Sequence, residues 1–474
     1  MVPTAATSQT GQYDLVVIGG GPGGYASALY AASAGMSVAL VERDTVGGTC
    51  LNRGCIPAKE FLETAAVYRH VAHAAEFGIN SSPPTVDFAV SQARKAKVVD
   101  GLVKGLSGLI KARKIDYFQG TGSLFPDRTV AVTGADGNHA SLQGRFVVLA
   151  AGSVPRTIPG FDAGGPIMTS DEVLMLDRVP PRVVVIGGGA IGCEFASTFA
   201  DLGAKVTILE GLPKILPGCD VDCANVVVRS FKRKQIDIRT GVMVRGHTPN
   251  DSGGTVVHFG ENEDLEVDVV IVSVGRRPFA DMLGLAGTAV KTDERGFVDV
   301  DPWCRTGEPG VYALGDLINT PQLAHVGYAE AIVAVKDMLG EQPMPVEYGK
   351  VPWAIYCHPE VAFAGHSEES AVAAGHEVVV AKHQFRGNGR ALILGEIDGL
   401  VKVIAKKNAD GKAGQILGVH MVGPWVTEQL SGGYLAVNWE ATVDDVASLI
   451  QPHPSLTELF GETVLSLTGR SLNT

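Results

Sequence analysis

Two short, continuously apolar runs dominate the chain, each followed at once by a glycine-rich turn and a helix-prone stretch. The first, Tyr13-Asp14-Leu15-Val16-Val17-Ile18, leads into Gly19-Gly20-Gly21-Pro22-Gly23-Gly24 and an Ala-rich segment to about Gly35. A second strand pattern, Ser37 to Val41, then ends in Glu42. The same grammar returns in Arg182 to Ile186, the turn Gly187-Gly188-Gly189-Ala190-Ile191-Gly192, a helix through Leu202, and a strand from Lys205 to Glu210. Apolar runs without alternation predict strands buried on both faces of a parallel sheet. Glycines at 19, 21 and 24, and again at 187, 189 and 192, fit G-x-G-x-x-G. That spacing provides a tight turn, close backbone approach to a pyrophosphate, and close helix-to-strand packing. In each unit an acid follows the last glycine by 18 residues, where it can accept a hydrogen bond from a ribose hydroxyl.

Two such units predict two dinucleotides that exchange electrons. Glu210 would repel a 2′-phosphate, and no Arg follows closely to compensate, so the second unit should prefer NAD to NADP. Between the units, Phe61 to Phe77 and Val90 to Lys114 carry apolar residues at helical spacing. Short β-prone segments follow, punctuated at Asp127-Arg128 and Asp136-Gly137-Asn138. Apolar strands ending in Gly152 and Gly275 close the two units. Gly310 to Asp316 reads as a strand whose terminal Gly315-Asp316 can touch a ribityl or ribose chain; an ordinary strand-end turn is the alternative. From Gly349 the chain turns β-prone, then gives two helical stretches, and lacks a glycine-rich loop. That makes the last block an interface rather than a cofactor site.

Composition narrows the class. A length of 474 residues, 45% of them hydrophobic and 19% charged, predicts a soluble protein of about three domains. The net charge of -12 argues against nucleic acid or a membrane surface as partner, because no basic face is available. Residues 1–11 lack the charged and apolar regions of a secretory signal, and no run of about 18 apolar residues occurs. A cytoplasmic protein is expected. The seven cysteines are odd in number and lack metal-ligand spacing, so neither a disulfide framework nor a metal site is predicted.

Two cysteines stand apart from the rest. Cys50 and Cys55 lie within Gly47-Gly48-Thr49-Cys50-Leu51-Asn52-Arg53-Gly54-Cys55-Ile56-Pro57-Ala58-Lys59. A bridge between them would close so small a loop that it removes little unfolded-state entropy, so its value would be chemical. In a reducing cytoplasm the disulfide that persists is one that cycles. The pair therefore reads as a redox-active disulfide, with two unrelated cysteines or half a zinc site as the blander readings. Near the end, His453-Pro454-Ser455-Leu456-Thr457-Glu458 offers an imidazole that can take and return a proton near neutral pH, with a carboxylate to orient it. Ser455 and Glu458 also fit a helix capping box, which leaves capping alone as an alternative for Glu458.

The cysteine loop, the two glycine turns, Gly315-Asp316 and the His453 to Glu458 segment together resemble the flavin disulfide reductases, and within them the branch that oxidises dihydrolipoamide. The resemblance runs from about residue 12 to 465. It implies an α/β chain with two Rossmann-like domains and a C-terminal α+β dimerisation domain. The divisions would be 1–151 for FAD and the redox disulfide, 152–276 for NAD, 277–348 returning to the FAD site, and 349–474 for the interface. FAD would be held by Gly19, Gly21, Gly24, Glu42, Thr49 and Gly152 together with Gly315 and Asp316. Gly187, Gly189, Gly192, Glu210 and Gly275 would hold NAD.

By the same resemblance Cys50 is the thiol that exchanges with substrate and Cys55 the one facing the flavin. Lys59 and Glu194 match an ion pair near the flavin, and His453 and Glu458 an acid-base dyad. A homodimer is implied, in which the C-terminal domain of one subunit completes the site of the other, with a lipoyl-bearing acyltransferase or carrier protein as partner. The chain departs from the pattern at Gln451, where His is common, at Ser455 for Thr, Ala58 for Ser and Arg53 for Val, and around Trp425. Arg53 and Trp425 bear on the approach of the substrate. A reductase of a small disulfide, of the mycothiol type, and a chiefly structural subunit of a complex are the competing readings.

Overall fold

The computed structural model describes residues 8–135, 137–251 and 253–473. Residues 1–7 of the segment searched for a signal, and Asp136 of the predicted turn, lie outside the described residues. The chain divides into two compact units. The first takes the chain up to Glu60, Ala89–Arg156 and Gly275–Tyr348; the second takes Phe61–Phe88, Thr157–Val274 and everything from Gly349.

In the first unit, β1 (Ser8–Ile18) pairs in parallel with β2 (Val38–Glu42) and with β6 (His139–Leu149). Leu15, Val16 and Val17 are fully buried, as a strand covered on both faces requires. β1 starts earlier than its apolar run because Ser8 to Tyr13 pair with His139 to Gly144, a partner the local sequence does not reveal. β3 (Asp116–Gln119) extends the sheet beyond β2, and β4 (Thr121–Phe125) and β5 (Thr129–Thr133) form an antiparallel meander onto β6. β17 (Val311–Ala313) pairs with Val147 to Leu149, so the returning segment joins the first sheet. α1 (Pro22–Ser33) lies against α8 (Ala324–Met338), where a Cβ at Gly23 would stand 3.5 Å from the Gly327 carbonyl, and 2.4 Å from Leu314 Cδ1 just past β17. α2 (Gly48–Arg53) and the start of α3 (Cys55–Ala72) carry the cysteine loop. α4 (Phe88–Ala112) follows. β7 (Ser153–Pro155) and β16 (Arg276–Pro278) form a two-stranded antiparallel ribbon.

The second unit holds two sheets that bear on function. β9 (Arg182–Ile186), β10 (Lys205–Glu210), β11 (Asp237–Thr240), β15 (Val269–Val272) and β8 (Ile167–Met168) make a parallel sheet in the order β11-β10-β9-β15-β8. Helices α5 (Ser170–Val173), α6 (Ala190–Asp201) and α7 (Val221–Arg233) accompany it, as does a meander of β12 (Val244–Pro249), β13 (Thr255–Phe259) and β14 (Glu263–Val267). The C-terminal sheet is antiparallel, in the order β18 (Trp353–Ile355), β19 (Glu360–Gly365), β22 (Ala413–Gly423), β21 (Leu400–Lys407), β20 (Val378–Gln384). α9 (Glu368–Ala373) and α10 (Gly389–Leu394) are short.

Three helices close the chain where two stretches are predicted: α11 (Val426–Asn438), α12 (Val443–Ala447) and α13 (Glu458–Ser466). A Thr442–Asp445 capping box starts the extra one. Val426, Leu430, Leu459, Phe460 and Val464 bury against Val401, Val403, Val419 and Met421 of the sheet. Among the described residues no helix is long and apolar enough to cross a membrane, and no group of His, Cys, Asp and Glu could hold a metal.

Candidate active site

The two glycine turns are built alike. Gly19 and Gly187 adopt φ of +107° and +106°, and a Cβ at either would collide with a backbone carbonyl, of Ala150 at 2.3 Å and of Ser273 at 2.4 Å. Gly24 and Gly192 each sit so close to the carbonyl of the first glycine that a Cβ would lie 1.8 and 2.0 Å away. Only glycine satisfies these positions. The middle glycines differ. A Cβ at Gly189 would meet nothing within 4 Å, and one at Gly21 only Gly48 Cα at 3.9 Å. Both residues cap the N-termini of α6 and α1 without a side-chain cap bond, so open ground faces two uncapped helix N-termini. That is a cradle for a pyrophosphate, and the residues present fit a dinucleotide in each unit.

The acids close each cradle. Glu42 Oε2 accepts Gly20 N–H at 2.6 Å and Oε1 accepts Asp44 N–H at 2.9 Å. Glu210 repeats this with Gly188 at 2.6 Å and Leu212 at 2.7 Å. Each carboxylate thus fixes the turn through one lone pair per oxygen and keeps a second for a ribose hydroxyl.

The cysteine loop touches the first cradle. Gly47 and Gly48 take φ of +104° and +58°, and a Cβ on Gly48 would stand 2.5 Å from Gly21 Cα. Gly54 separates α2 from α3, so helix begins at Cys55, upstream of the predicted Phe61. Asn52, unassigned from the sequence, donates to the carbonyls of Thr45, Val46 and Gly48 at 3.0–3.2 Å and braces the loop. The side chains of Cys50 and Cys55 hydrogen-bond each other. That bond, burial and the charge of Cys55 raise the Cys50 thiol, while the Lys59 ammonium pulls it down. Tyr25 of α1 and Tyr328 of α8 share a hydroxyl–hydroxyl hydrogen bond beside them. Burial first, with the neighbouring cysteine charges, raises both phenols. Arg53 pairs with Asp44 on the surface, with 41% of its side chain exposed, an arrangement worth about 1 kcal/mol at most.

β17 stops at Ala313, short of the predicted Asp316, and Gly315 and Asp316 open a single 3-10 turn, Gly315–Leu317. Asp316 Oδ2 accepts from Ser153 Oγ at 2.5 Å, and Ser153 in turn accepts from Arg276 Nε at 2.6 Å. Ser153 and Arg276 flank the predicted Gly152 and Gly275 on β7 and β16, whose φ values are +71° and +103°. Glu330, fully buried in α8, accepts from Gly315 N, Thr320 Oγ1 and Tyr348 Oη at 2.6–3.0 Å. Burial pushes its carboxyl up to about 7 against those three donors. The sequence gives Ser153, Arg276 and Glu330 no local signature.

His453 and Glu458 come together. His453 Nδ1 lies 2.7 Å from Glu458 Oε1. Glu458 Oε2 accepts Ser455 N–H at 2.7 Å, and Ser455 Oγ accepts Glu458 N–H at 3.3 Å. Capping box and dyad therefore coexist on one carboxylate. Gln451 lies along α13, where a Cβ on Gly461 would touch its Cγ at 2.6 Å. Trp425 is an exposed residue at φ +50°, capping α11. Glu194 is buried on α6, and its Oε1 accepts Tyr356 N–H at 2.9 Å. Lys59 lies on α3 in the first unit and Glu194 in the second.

A family model described as pyridine nucleotide-disulphide oxidoreductase matches residues 13–331, and a model of that family's dimerisation domain matches 351–464. The chain belongs to the pyridine nucleotide-disulphide oxidoreductases, flavoprotein enzymes whose cofactors here are FAD and NAD, and it carries their dimerisation domain. Curated relatives of the chain include dihydrolipoyl dehydrogenases. It is 38% identical to that of Bacillus subtilis (strain 168) over 98% of this chain and 99% of the relative. It is also 38% identical to that of Haloferax volcanii, over 97% of each. Among solved structures, LpdA from Mycobacterium tuberculosis shares the fold with a TM-score of 0.90 at 24% identity, covering 97% of this chain and 99% of that one. The HOCl-induced flavoprotein disulfide reductase RclA from Escherichia coli superposes with a TM-score of 0.86 at 25% identity, covering 96% and 99%.

Proposed function

We propose that this chain oxidises protein-bound dihydrolipoamide to lipoamide with NAD+ as acceptor, serving a 2-oxo acid dehydrogenase-type complex. The observation that carries the reading is the Cys50–Cys55 pair, two thiols hydrogen-bonded to each other on a loop that abuts the first glycine turn. A dithiol beside a dinucleotide cradle suits electron transfer and does nothing for a staple. The name shared by the relatives supplies the substrate class and does not favour a small-disulfide reductase.

The chemistry begins from the Cys50–Cys55 disulfide. His453 takes the proton of one substrate thiol, and the thiolate attacks Cys50 Sγ, forming a mixed disulfide and releasing Cys55 as a thiolate. The second substrate thiol then attacks the substrate sulfur of that mixed disulfide. The bond to Cys50 breaks, the cyclic disulfide leaves, and Cys50 takes a proton. Two electrons now reside on the cysteine pair. FAD, when bound, supplies the route from a dithiol to hydride on NAD+. Glu458 holds a proton on His453 Nδ1, which leaves Nε2 to exchange protons with the substrate.

Gly19, Gly21, Gly24, Glu42 and Thr49 would hold FAD, with Gly152, Gly315 and Asp316 at its other end. Gly187, Gly189, Gly192, Glu210 and Gly275 would hold NAD. Lys59, whose charge already lowers the Cys50 thiol, would pair with Glu194 near the flavin ring. The protein would act in the cytoplasm as a homodimer in which His453 of one protomer serves the cysteines of its partner, with a lipoyl domain as the docking molecule.

Alkylation of the holoenzyme tests the reading. Cys50 and Cys55 should resist iodoacetamide in the oxidised enzyme and both become labelled after anaerobic dihydrolipoamide. Identical labelling before and after contradicts it.

A further inference from the structure

We propose that Asn388 is a positioning residue for the dithiol-side base: its buried carboxamide ties the Ser455 carbonyl to the start of α10 and so fixes where His453 and Glu458 stand. The inference rests on the reading of His453 as that base. Within the segment 450–457, between α12 and α13, Leu456 is buried in the core of the C-terminal sheet, whereas residues 452–454 around the base are exposed. Ile450 is 97% exposed, and the His453 side chain 80%. The segment's hydrogen bonds are mostly internal or to adjacent Glu458: Ser455 N and Oγ with Glu458, and Ser455 Oγ with Thr457 Oγ1. Among the described residues, the one hydrogen bond that reaches it from more than five positions away is Asn388 Nδ2 to Ser455 O, at 2.9 Å.

The donor is rigidly held. Asn388 is 4% exposed, and its Oδ1 accepts Ala391 N–H at 3.0 Å, capping α10. With a donor on one side and a carbonyl on the other, the amide has one orientation, because turning it over would set oxygen against oxygen. Asn388 N–H is itself bonded to Phe385 O at 2.8 Å, and Phe385 is fully buried in the core beneath the C-terminal sheet. The path from sheet to loop is therefore Phe385, Asn388, Ser455, and two residues further back His453. Ser, Thr or Asp could cap α10 as well. Asn alone among good caps also offers the N–H that the Ser455 carbonyl takes. Asp would keep the cap and turn an acceptor toward that carbonyl.

This distinction makes Asn388→Asp the informative variant, with Asn388→Ser as a second that keeps a capping oxygen and adds no charge. Each is measured as holoenzyme for dihydrolipoamide oxidation, for NADH-driven reduction of ferricyanide, which needs no thiol base, and for melting temperature. A misplaced base by about 1 Å costs on the order of a hundredfold. Both variants should therefore lower kcat for dihydrolipoamide at least about tenfold, with KM and ferricyanide reduction within about twofold of wild type. His453→Gln is measured alongside. If it keeps wild-type dihydrolipoamide turnover, the base assignment and this inference both fall. If it loses turnover while both Asn388 variants keep theirs, the positioning role alone is overturned. An equal loss of both activities, or failure of both variants to fold, assigns Asn388 to general stability and also overturns it.

Discussion

Glu458 serves His453 and its own helix at once: one carboxylate oxygen lies 2.7 Å from His453 Nδ1, and the other accepts Ser455 N–H at 2.7 Å. The capping bonds thus fix the geometry of the dyad rather than compete with it. Glu458→Gln can keep the cap while presenting an amide to Nδ1. We predict a fall of about a hundredfold in kcat for dihydrolipoamide with the melting temperature unchanged within about 2 °C. A loss of stability with intact turnover would show capping to be the whole role.

Cys55→Ser removes the sulfur expected to face the flavin and leaves the rest of the loop, including the Asn52 brace, in place. Lipoamide turnover should vanish while the protein still purifies yellow, because the glycine cradle proposed for the cofactor does not use the thiol. Retained turnover sinks the relay scheme.

Lys402 is 1% exposed on β21 and bonded to Asp220, Asp222 and Glu368 at 2.7–3.2 Å. Burial opposes its charge, but the hydrogen bonds it donates to Asp222, Glu368 and Asp220 outweigh it and raise the ammonium above its ordinary range. Asp222 is lowered in return, burial again opposing and Lys402 prevailing. The lowered carboxyl contributes stability that is present above about pH 3.9 and is lost as pH falls through its folded value. The raised ammonium contributes below about pH 10.4 and loses its contribution as pH rises through its own folded value. Lys402→Met strands the buried Asp220 and should cost about 3–5 kcal/mol at pH 7. The melting-temperature gap to wild type should narrow below about pH 4, and a gap independent of acid would show that packing, not charge, is lost.

The parts of the site that were legible in the sequence are those whose chemistry is local. Gly19 and Gly24 are demanded by carbonyls within their own turn and its closing strand, so their spacing alone betrays them. Continuous apolar runs read correctly as β1 and β9 because both faces are covered. What escaped depends on distant partners. The start of β1 at Ser8 is set by pairing with His139, and the role of Asn388 by a carbonyl 67 positions away. Ser153 and Arg276 gain meaning only when Asp316 arrives on a 3-10 turn from far along the chain. The alternatives left open for Glu458 were not exclusive, since a carboxylate has two oxygens and the fold uses both. Arg53, a residue foreign to the pattern of the cysteine loop, pairs with Asp44.

Steady-state reduction of NAD+ by dihydrolipoamide, run beside other dithiols and mycothiol and with NADP+ as the alternative acceptor, tests the central claim most directly. Glu210, its two oxygens accepting from the backbone of the second cradle, sets a carboxylate against a 2′-phosphate. Dihydrolipoamide with NAD+ should therefore exceed both the other thiols and the NADP+ reaction by about a hundredfold in kcat/KM. No turnover of dihydrolipoamide, alongside efficient turnover of a small thiol or efficient use of NADP+, would contradict the account.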